Sequence, residues 1–465
     1  MAVAFHHGSE TERINGGTVA IRQIDGAIIG LVGTAPIGAT NEITLCQTSK
    51  HFAQFGNLVD KGYTICDALD IIKRYEAGTV YVINVLDPKK HRTTVTDEVL
   101  TQNADTLIAQ TQKAGLIELT IKSGATVLSA GKDYTVNLLT GEVTFMRAQT
   151  ELKATYVYAD PTKVTESDVR GGIDSATGKR TGFELLKMGF IEFGADAKIV
   201  ICPQFDQQAG VMTSLATLAD KLNAIAYINA PKGTTLSQAI AGRGSNGTIN
   251  FYTSSDRVHL FYPYVVGERG TLESLATHAA GLRMKVDVDH GYWYSTSNRE
   301  LKGVQGVEVK LTARVNDVQS ETNQLNSRGI TTVFNSYGTG YRLWGNRLAA
   351  YPTSTHISQF EVVQRTSDLI DEGIAQAELQ YVDRPIDEAL LDSLLGTIET
   401  YMGTLKSIVG YSVALDPDAD LLDAFSQGLV PLQYDFTPKI PAERIRNKSV
   451  VTRKYLVNLT SRGGQ

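Results

Sequence analysis

Apolar runs of six to eight residues recur along this chain, and between them fall segments with an apolar side chain at every third or fourth position. Ala27–Gly33, Val80–Val85 (VYVINV), Ala197–Cys202 (AKIVIC), Ala224–Asn229 and Val258–Val265 are such runs. Each is too short to span a bilayer, and having almost no polar face it must be covered on both sides, so it reads as a buried strand. Tyr63–Tyr75 places Ile65, Leu69, Ile72 and Tyr75 at helical spacing, and Val211–Leu222 does the same with Val211, Leu215, Leu218 and Leu222. Ser49–Phe55 and Phe183–Gly189 read as shorter helices. Strand and helix alternate, so the fold class is α/β, a mixed sheet flanked by helices.

The rhythm breaks between residues 92 and 160. Leu116–Lys122, Thr126–Leu128, Asp133–Leu138, Glu142–Phe145 and Ala154–Tyr158 are five short strands with turn signals between them, Leu139-Thr140-Gly141 among them. They predict a small all-β unit inserted into the α/β pattern, which resumes after Thr165; such insertions belong on the exposed surface. Near the end, Ile386, Leu390, Leu394, Ile398, Tyr401, Met402 and Leu405 line one stripe of a predicted helix, with Pro385 in its first turn. The expected division is 1–25, an N-terminal arm; 26–91 with 161–345, the α/β domain; 92–160, the β-insertion; 346–448, a C-terminal domain with helices; and 449–465, a C-terminal arm strand. A chain of 465 residues has room for about three domains.

Motifs that would carry chemistry fall short. Gly172–Lys179 (GIDSATGK) approaches a phosphate-binding loop, but five residues separate its glycines and Arg180 stands where a Ser or Thr should hold magnesium, so it reads as a surface loop. The eight histidines show no HxxxH or HExxH spacing, and Cys46, Cys66 and Cys202 are distant and set in apolar surroundings, so no metal site or disulfide is expected. Asp416, Asp418 and Asp420 lack the glycine and twelfth-position glutamate of a calcium loop and read as a turn capping a helix from about Leu421. Gly242–Gly247 (GRGSNG) follows a helix and fits neither a nucleophile elbow nor a dinucleotide fingerprint. No catalytic residue, cofactor or metal is therefore predicted. No signal peptide or membrane span is expected, and a net charge of −6 argues against a nucleic-acid partner.

That charge is unevenly distributed. Pro438–Gln465 carries seven bases against the single acid Glu443, whereas Thr366–Phe425 carries thirteen acids against Arg384 and Lys406. Oppositely charged segments of this kind attract within a chain or between copies.

Several segments, in order, resemble the tail sheath family of contractile bacteriophages and related injection machines. They are Ile28–Gly38 (IIGLVGTAPIG), Val80–Pro88, His278–Val307, Leu325–Phe334, Gly340–Pro352 (GYRLWGNRLAAYP) and Gly410–Ile445, which ends in PAERI, followed by Val450–Leu459. The resemblance covers residues 20–90 and about 165–460 and leaves out the β-insertion. In GYRLWGNR, a Trp between arginines suits a packed junction, although Trp344 as plain core is favoured.

The resemblance implies a structural subunit with no enzyme activity. Subunits would stack as rings, six to a ring, around a tail tube and contract to drive it through the host envelope. Further partners would be baseplate and tail terminator proteins; the location would be the virion tail, after assembly in the bacterial host cytoplasm. Residues 346–448 would face inward and the insertion outward. Terminal arms would complete the sheets of neighbours, through Thr18, Val19, Ala20 and Ile21 at one end and Val451, Arg453, Tyr455 and Val457 at the other. Asp387, Glu388, Asp392 and Lys406 would make charge contacts with the tube or other subunits. Three alternatives stay open at this point: the sheath of a capsid-less injection particle, a capsid or surface-layer subunit, and an α/β enzyme acting on a nucleotide or sugar.

Overall fold

The apolar runs assemble into one sheet. The computed structural model describes residues 26–454, apart from 336, 337 and 339. The strands are β1 (Ile28–Gly33), β2 (Ile43–Cys46), β3 (Thr79–Asn84), β4 (Ile199–Ile201), β5 (Ile225–Asn229), β6 (Val258–Phe261), β7 (Ile330–Phe334) and β8 (Arg342–Trp344). They lie in the order β2-β3-β1-β4-β5-β6-β7-β8. Every pair from β3 across to β7 is parallel, and β2 and β8 close the two edges antiparallel. β1, β4, β5, β6 and β7 are buried at every residue, which is why they read as apolar throughout.

Helices α1 (Thr64–Ile72), α2 (Ala209–Lys221) and α3 (Leu275–Asp289) cover the sheet. A Cβ on Gly281 would fall 2.5 Å from the Tyr75 ring, so glycine is what lets α3 approach the end of α1. α3 has no clean apolar stripe. His278, Arg283 and the Asp287 side chain are buried along with its leucines and alanines, and each has a charged partner.

Residues 92–159 form two small sheets. One pairs Arg92–Val99, Leu152–Ala159, Leu116–Ser123 and Thr126–Val127, and the other pairs Ile108–Gln110, Glu142–Phe145 and Tyr134–Asn137. They enclose a core of their own around Ile121, Val143, Phe145 and Tyr156. The strand at Arg92–Val99 is absent from the sequence reading because Arg92, Asp97 and Glu98 give it a polar cast, and Ile108–Gln110 is too short to register. The chain enters this unit from the carboxyl end of β3, and the Tyr63 hydroxyl at the start of α1 lies 3.0 Å from the Ala114 carbonyl and 2.7 Å from that of Ala159.

The C-terminal part holds α4 (Glu361–Glu378), α5 (Glu388–Thr404), β9 (Ile408–Leu415), α6 (Leu421–Ser426) and β10 (Leu432–Pro438). α4 meets the amino ends of the parallel strands. Glu372 pairs with Lys198 just before β4, Asp368 with Arg257 just before β6 (2.5 Å), and Arg365 with the Gly26 carbonyl just before β1 (2.9 Å). The β-unit and the C-terminal part therefore join opposite ends of the sheet.

Local expectations need three corrections. α5 starts at Glu388 with Asp387 as its cap, the carboxylate accepting from Leu390 N at 2.7 Å, so Pro385 precedes the helix and is not in its first turn. Val258–Val265 is not one strand: β6 stops at Phe261, and Val265–Gly267 joins a separate three-stranded sheet. Trp344 is half-buried, stacked on Phe334 with centroids 4.2 Å apart, because β8 is the last strand of the sheet and beyond it only the short stretch Asn298–Leu301 pairs with its backbone. The acidic turn before α6 is as expected, with Asp420 accepting from Leu422 N and Asp423 N.

Candidate assembly interface

β10 alternates residue by residue, and β9 does so from Ser412 on. Val413 on β9 and Leu432, Tyr434 and Phe436 on β10 turn toward a cluster of Ile370, Ile374, Ile398, Tyr401 and Met402 on α4 and α5. Ser412, Ala414, Gln433, Asp435 and Thr437 are exposed on the other face. Tyr434 is held by a 2.9 Å bond to Asp371 on α4. The result is a two-stranded sheet, Gly410↔Thr437 through Leu415↔Leu432, with no third strand among the described residues. Both edges carry backbone N–H and C=O groups without a ladder partner, and an isolated two-stranded ribbon is marginal in water. This edge geometry is a template for further strands.

The chain that follows β10 leads away from the body. Residues 439–453 have no helix or strand, and 439–454 are almost entirely exposed. Two polar ties hold this stretch to the body among the described residues. Lys439 N donates to Ser407 O (2.9 Å), and the Glu443 carboxylate takes Arg347 Nε (2.9 and 3.1 Å) together with Arg347 Nη2. Arg347 is fixed in turn by Gln359 Oε1 (2.7 Å) and by the rings of Tyr351 and Phe360, 4.1 and 4.8 Å from the guanidinium. GYRLWGNR and PAERI, far apart in sequence, thus meet in one bidentate ion pair.

Elsewhere the polar groups serve the fold. A cavity of about 640 Å³ opens at the carboxyl ends of β1 and β4, between the β-unit and the sheet, lined by Asp60, Tyr63, Gln112, Tyr158, Asp160 and Gln204 among others. Its carboxylates are committed: Asp160 accepts from Thr93, Tyr158 and Thr162, and Asp60 holds Arg269 (2.8 Å). Gly172–Lys179 is the turn of a small hairpin closed by Asp174 on the Ala176 and Thr177 amides. Among the described residues no three His, Cys, Asp or Glu side chains gather as a metal would require. His259 and His278 face Glu361 and Glu273. Burial alone would raise the Glu361 carboxyl, but His259, Arg283 and Arg365 outweigh it and hold it at about 2. His278 and Arg74 outweigh burial in the same way at Glu273, also held at about 2.

These features can be compared with known proteins. The tail sheath protein of Burkholderia phage BcepMu is 44% identical over 480 aligned residues, covering 100% of both chains. The chain belongs to the phage tail sheath family. The family model described as phage tail sheath protein central domain matches residues 184–347. A putative prophage major tail sheath protein of Pseudomonas aeruginosa (strain UCBPP-PA14) is 30% identical over 68% of this chain and 81% of its own. In architecture the sheath chain is similar to the contracted helical sheath of the anti-feeding prophage, with a TM-score of 0.59 over 96% of this chain and 99% of the other at 16% identity. It is a structural sheath protein, a component of the virion tail.

The expected contact residues fall in three groups in this sheath chain. Thr18, Val19, Ala20 and Ile21, and Tyr455 and Val457, lie outside the described residues. Val451 is fully exposed and Arg453 exposed, and both are in no strand, because the chain's own sheets offer that stretch no neighbour. Asp387, Glu388, Asp392 and Lys406 are all exposed, Asp387 doubling as the α5 cap. The acidic helices are less free than their composition suggests. Asp368 and Glu372 are spent on Arg257 and Lys198 inside the subunit, and Glu361 is buried. Sequence reasoning placed Arg347 in a packed junction without a partner and did not find the Arg365–Gly26 and Arg365–Asp287 contacts, because Glu443, Gly26 and Asp287 lie 96, 339 and 78 positions from their arginines.

Proposed function

We propose that this sheath subunit polymerises as a helical stack of six-membered rings around the tail tube and contracts to drive the tube through the host envelope, its terminal arms adding strands to neighbours. The observation that carries this reading is the β9–β10 ribbon with both edges open, next to a tail that is extended, exposed and held to the body by two polar ties among the described residues. Strand addition satisfies both, and because the contact is head-to-tail it propagates into a helix without closing. The proposed division is arms at 1–25 and 449–465, an α/β body at 26–91 and 161–345, a β-unit at 92–160 and a C-terminal domain at 346–448. Attachment at opposite ends of the sheet supports an inward C-terminal domain and an outward β-unit. Tube, baseplate and terminator proteins are the proposed partners, with no nucleic acid or membrane contact and no catalysis, and assembly is in the host cytoplasm.

Contraction on this reading needs no nucleotide. A difference of about 2 kcal/mol per subunit between the two lattices, summed over about a hundred subunits, releases about 200 kcal/mol. The ionic contacts of α4 with the sheet suit movement of body and C-terminal domain as one rigid piece. The test is a chain ending at Lys448. It loses about four main-chain bonds to a neighbour, each worth about 1 kcal/mol, and, among the described residues, no bond to the rest of the subunit. It should purify as a folded monomer that forms no tubes by electron microscopy; long sheaths from this truncation would refute strand exchange.

A further inference from the structure

The start of β1 is held in an unusual way. Gly26 O has no strand to accept from, and Arg365 Nη2 of α4 reaches it at 2.9 Å. The same nitrogen pairs with Asp287 Oδ2 at the end of α3 at 2.6 Å. Asp287 Oδ1 is also taken by Arg283 Nε at 2.8 Å. Both members of the Arg365–Asp287 pair are buried, at 3% and 4% exposure. Gly26 sits hard against them: a Cβ there would lie 3.2 Å from Leu369, 3.3 Å from Arg365 Nη2 and 3.6 Å from Asp287. On its other side the next residue accepts from Thr79 N at 3.0 Å.

A buried ion pair is a poor way to gain stability, since an apolar pair of similar volume does as well or better. A guanidinium does have one capability that an apolar group lacks. Its fork of five donors can hold a carboxylate and a backbone carbonyl together. Here it joins three separate pieces: the first helix of the C-terminal domain, the last turn of α3, and Gly26, the residue that follows the first 25 of the chain.

We propose that Arg365, held by Asp287, is the positioning residue of the N-terminal arm: it clamps the arm's root at Gly26 to α4, so that a pull on the arm is delivered to the rigid body and does not peel β1 from β3. This rests on the arm-exchange reading above. Anchored so, the arm leaves next to the domain proposed to face inward, and its direction is set before a neighbour is met.

Arg365→Met separates the clamp from the fold, because Arg283 still neutralises Asp287, and His259 and Arg283 still hold Glu361. In the intact monomer, amide exchange of the peptide spanning 22–30 should rise by about tenfold in Arg365→Met while β5 and β6 peptides stay protected. Sheaths of that variant should break under shear that parental sheaths survive. Arg365→Lys, which keeps the charge but can hold only one of the two acceptors well, should fall between, and it serves if the Met variant does not fold. Unchanged exchange at 22–30 in whichever variant folds overturns the proposal. A chain lacking residues 1–25 tests the underlying reading separately: if it still assembles normally, arm exchange fails, whereas the exchange measurement on the monomer judges the clamp by itself.

Discussion

Glu443→Gln isolates the tie between the tail and the body. The parental pair is bidentate, with Arg347 19% and Glu443 33% exposed, so solvent screens it and its worth is about 1 kcal/mol. The neutral amide keeps the shape and loses the charge. Since the Lys439–Ser407 bond is the other polar tie of the described tail, this loss frees the tail without touching a core. The monomer should therefore melt within about 2 °C of the parent. A tail no longer pre-positioned must be ordered when it docks, so about 1 kcal/mol reappears in assembly, a factor of about five at 25 °C. The critical concentration for sheath formation, read by pelleting and electron microscopy at low salt, should rise about fivefold. The gap should shrink toward 1 M salt, where the Debye length is about 3 Å. A critical concentration within about twofold of the parent at low salt, with the monomer intact, refutes the idea that this pair pre-positions the tail.

Three further outcomes are expected. Reversing the exposed charges as Glu388→Lys with Asp392→Lys, and changing Asp387 only to Asn to keep the α5 cap, should leave a folded monomer that fails to assemble on tubes in co-sedimentation; normal coating of tubes would exclude these groups as contacts. Arg243 of the GRGSNG loop donates to the carbonyls of Arg328, Phe251, Thr253, Ala349 and Tyr351 at 2.6–3.0 Å, and burial lowers its pKa to about 10, so Arg243→Met should cost more than about 3 kcal/mol in denaturant unfolding, with Lys recovering only part. Burial pushes the Asp206 carboxyl up to about 7, so its unfolded form loses the proton first: stability should fall as pH rises from about 4 to 7, and Asp206→Asn should remove that slope. Glu361 and Glu273, held at about 2, act in the opposite sense, stabilising above about pH 4 and losing that contribution as pH falls toward 2.

How far the chain could be read in advance depended on the distance over which each feature is decided. Buried strands and α5 were visible because burial on both sides, or on one stripe, imposes a local period that residues such as Val80–Val85 or Leu390, Leu394 and Ile398 display directly. The strand at Arg92–Val99 was missed because only half of it is covered, and an alternating strand carrying Arg92, Asp97 and Glu98 looks like a loop. Trp344 misled because a large ring says nothing about whether its strand lies in the centre of a sheet or at its edge. Asp368 and Glu372 misled for a related reason: composition counts acids, whereas Arg257 and Lys198, which neutralise them, come from the loops before β6 and β4.

Sequence alone determined the α/β class, the extra β-segment between 92 and 160, the basic tail and, through ordered motifs, the family. These follow from periodicity and charge, which neighbouring residues carry themselves. Only the tertiary structure decided that the β-unit and the C-terminal part attach to opposite ends of one sheet, that the β9–β10 ribbon stands with open edges, and that Arg347 and Arg365 grip Glu443 and Gly26. Those are pairings across 96 and 339 positions, and a guanidinium's choice of partner is set by which elements the packed core brings within 3 Å, which no local pattern encodes.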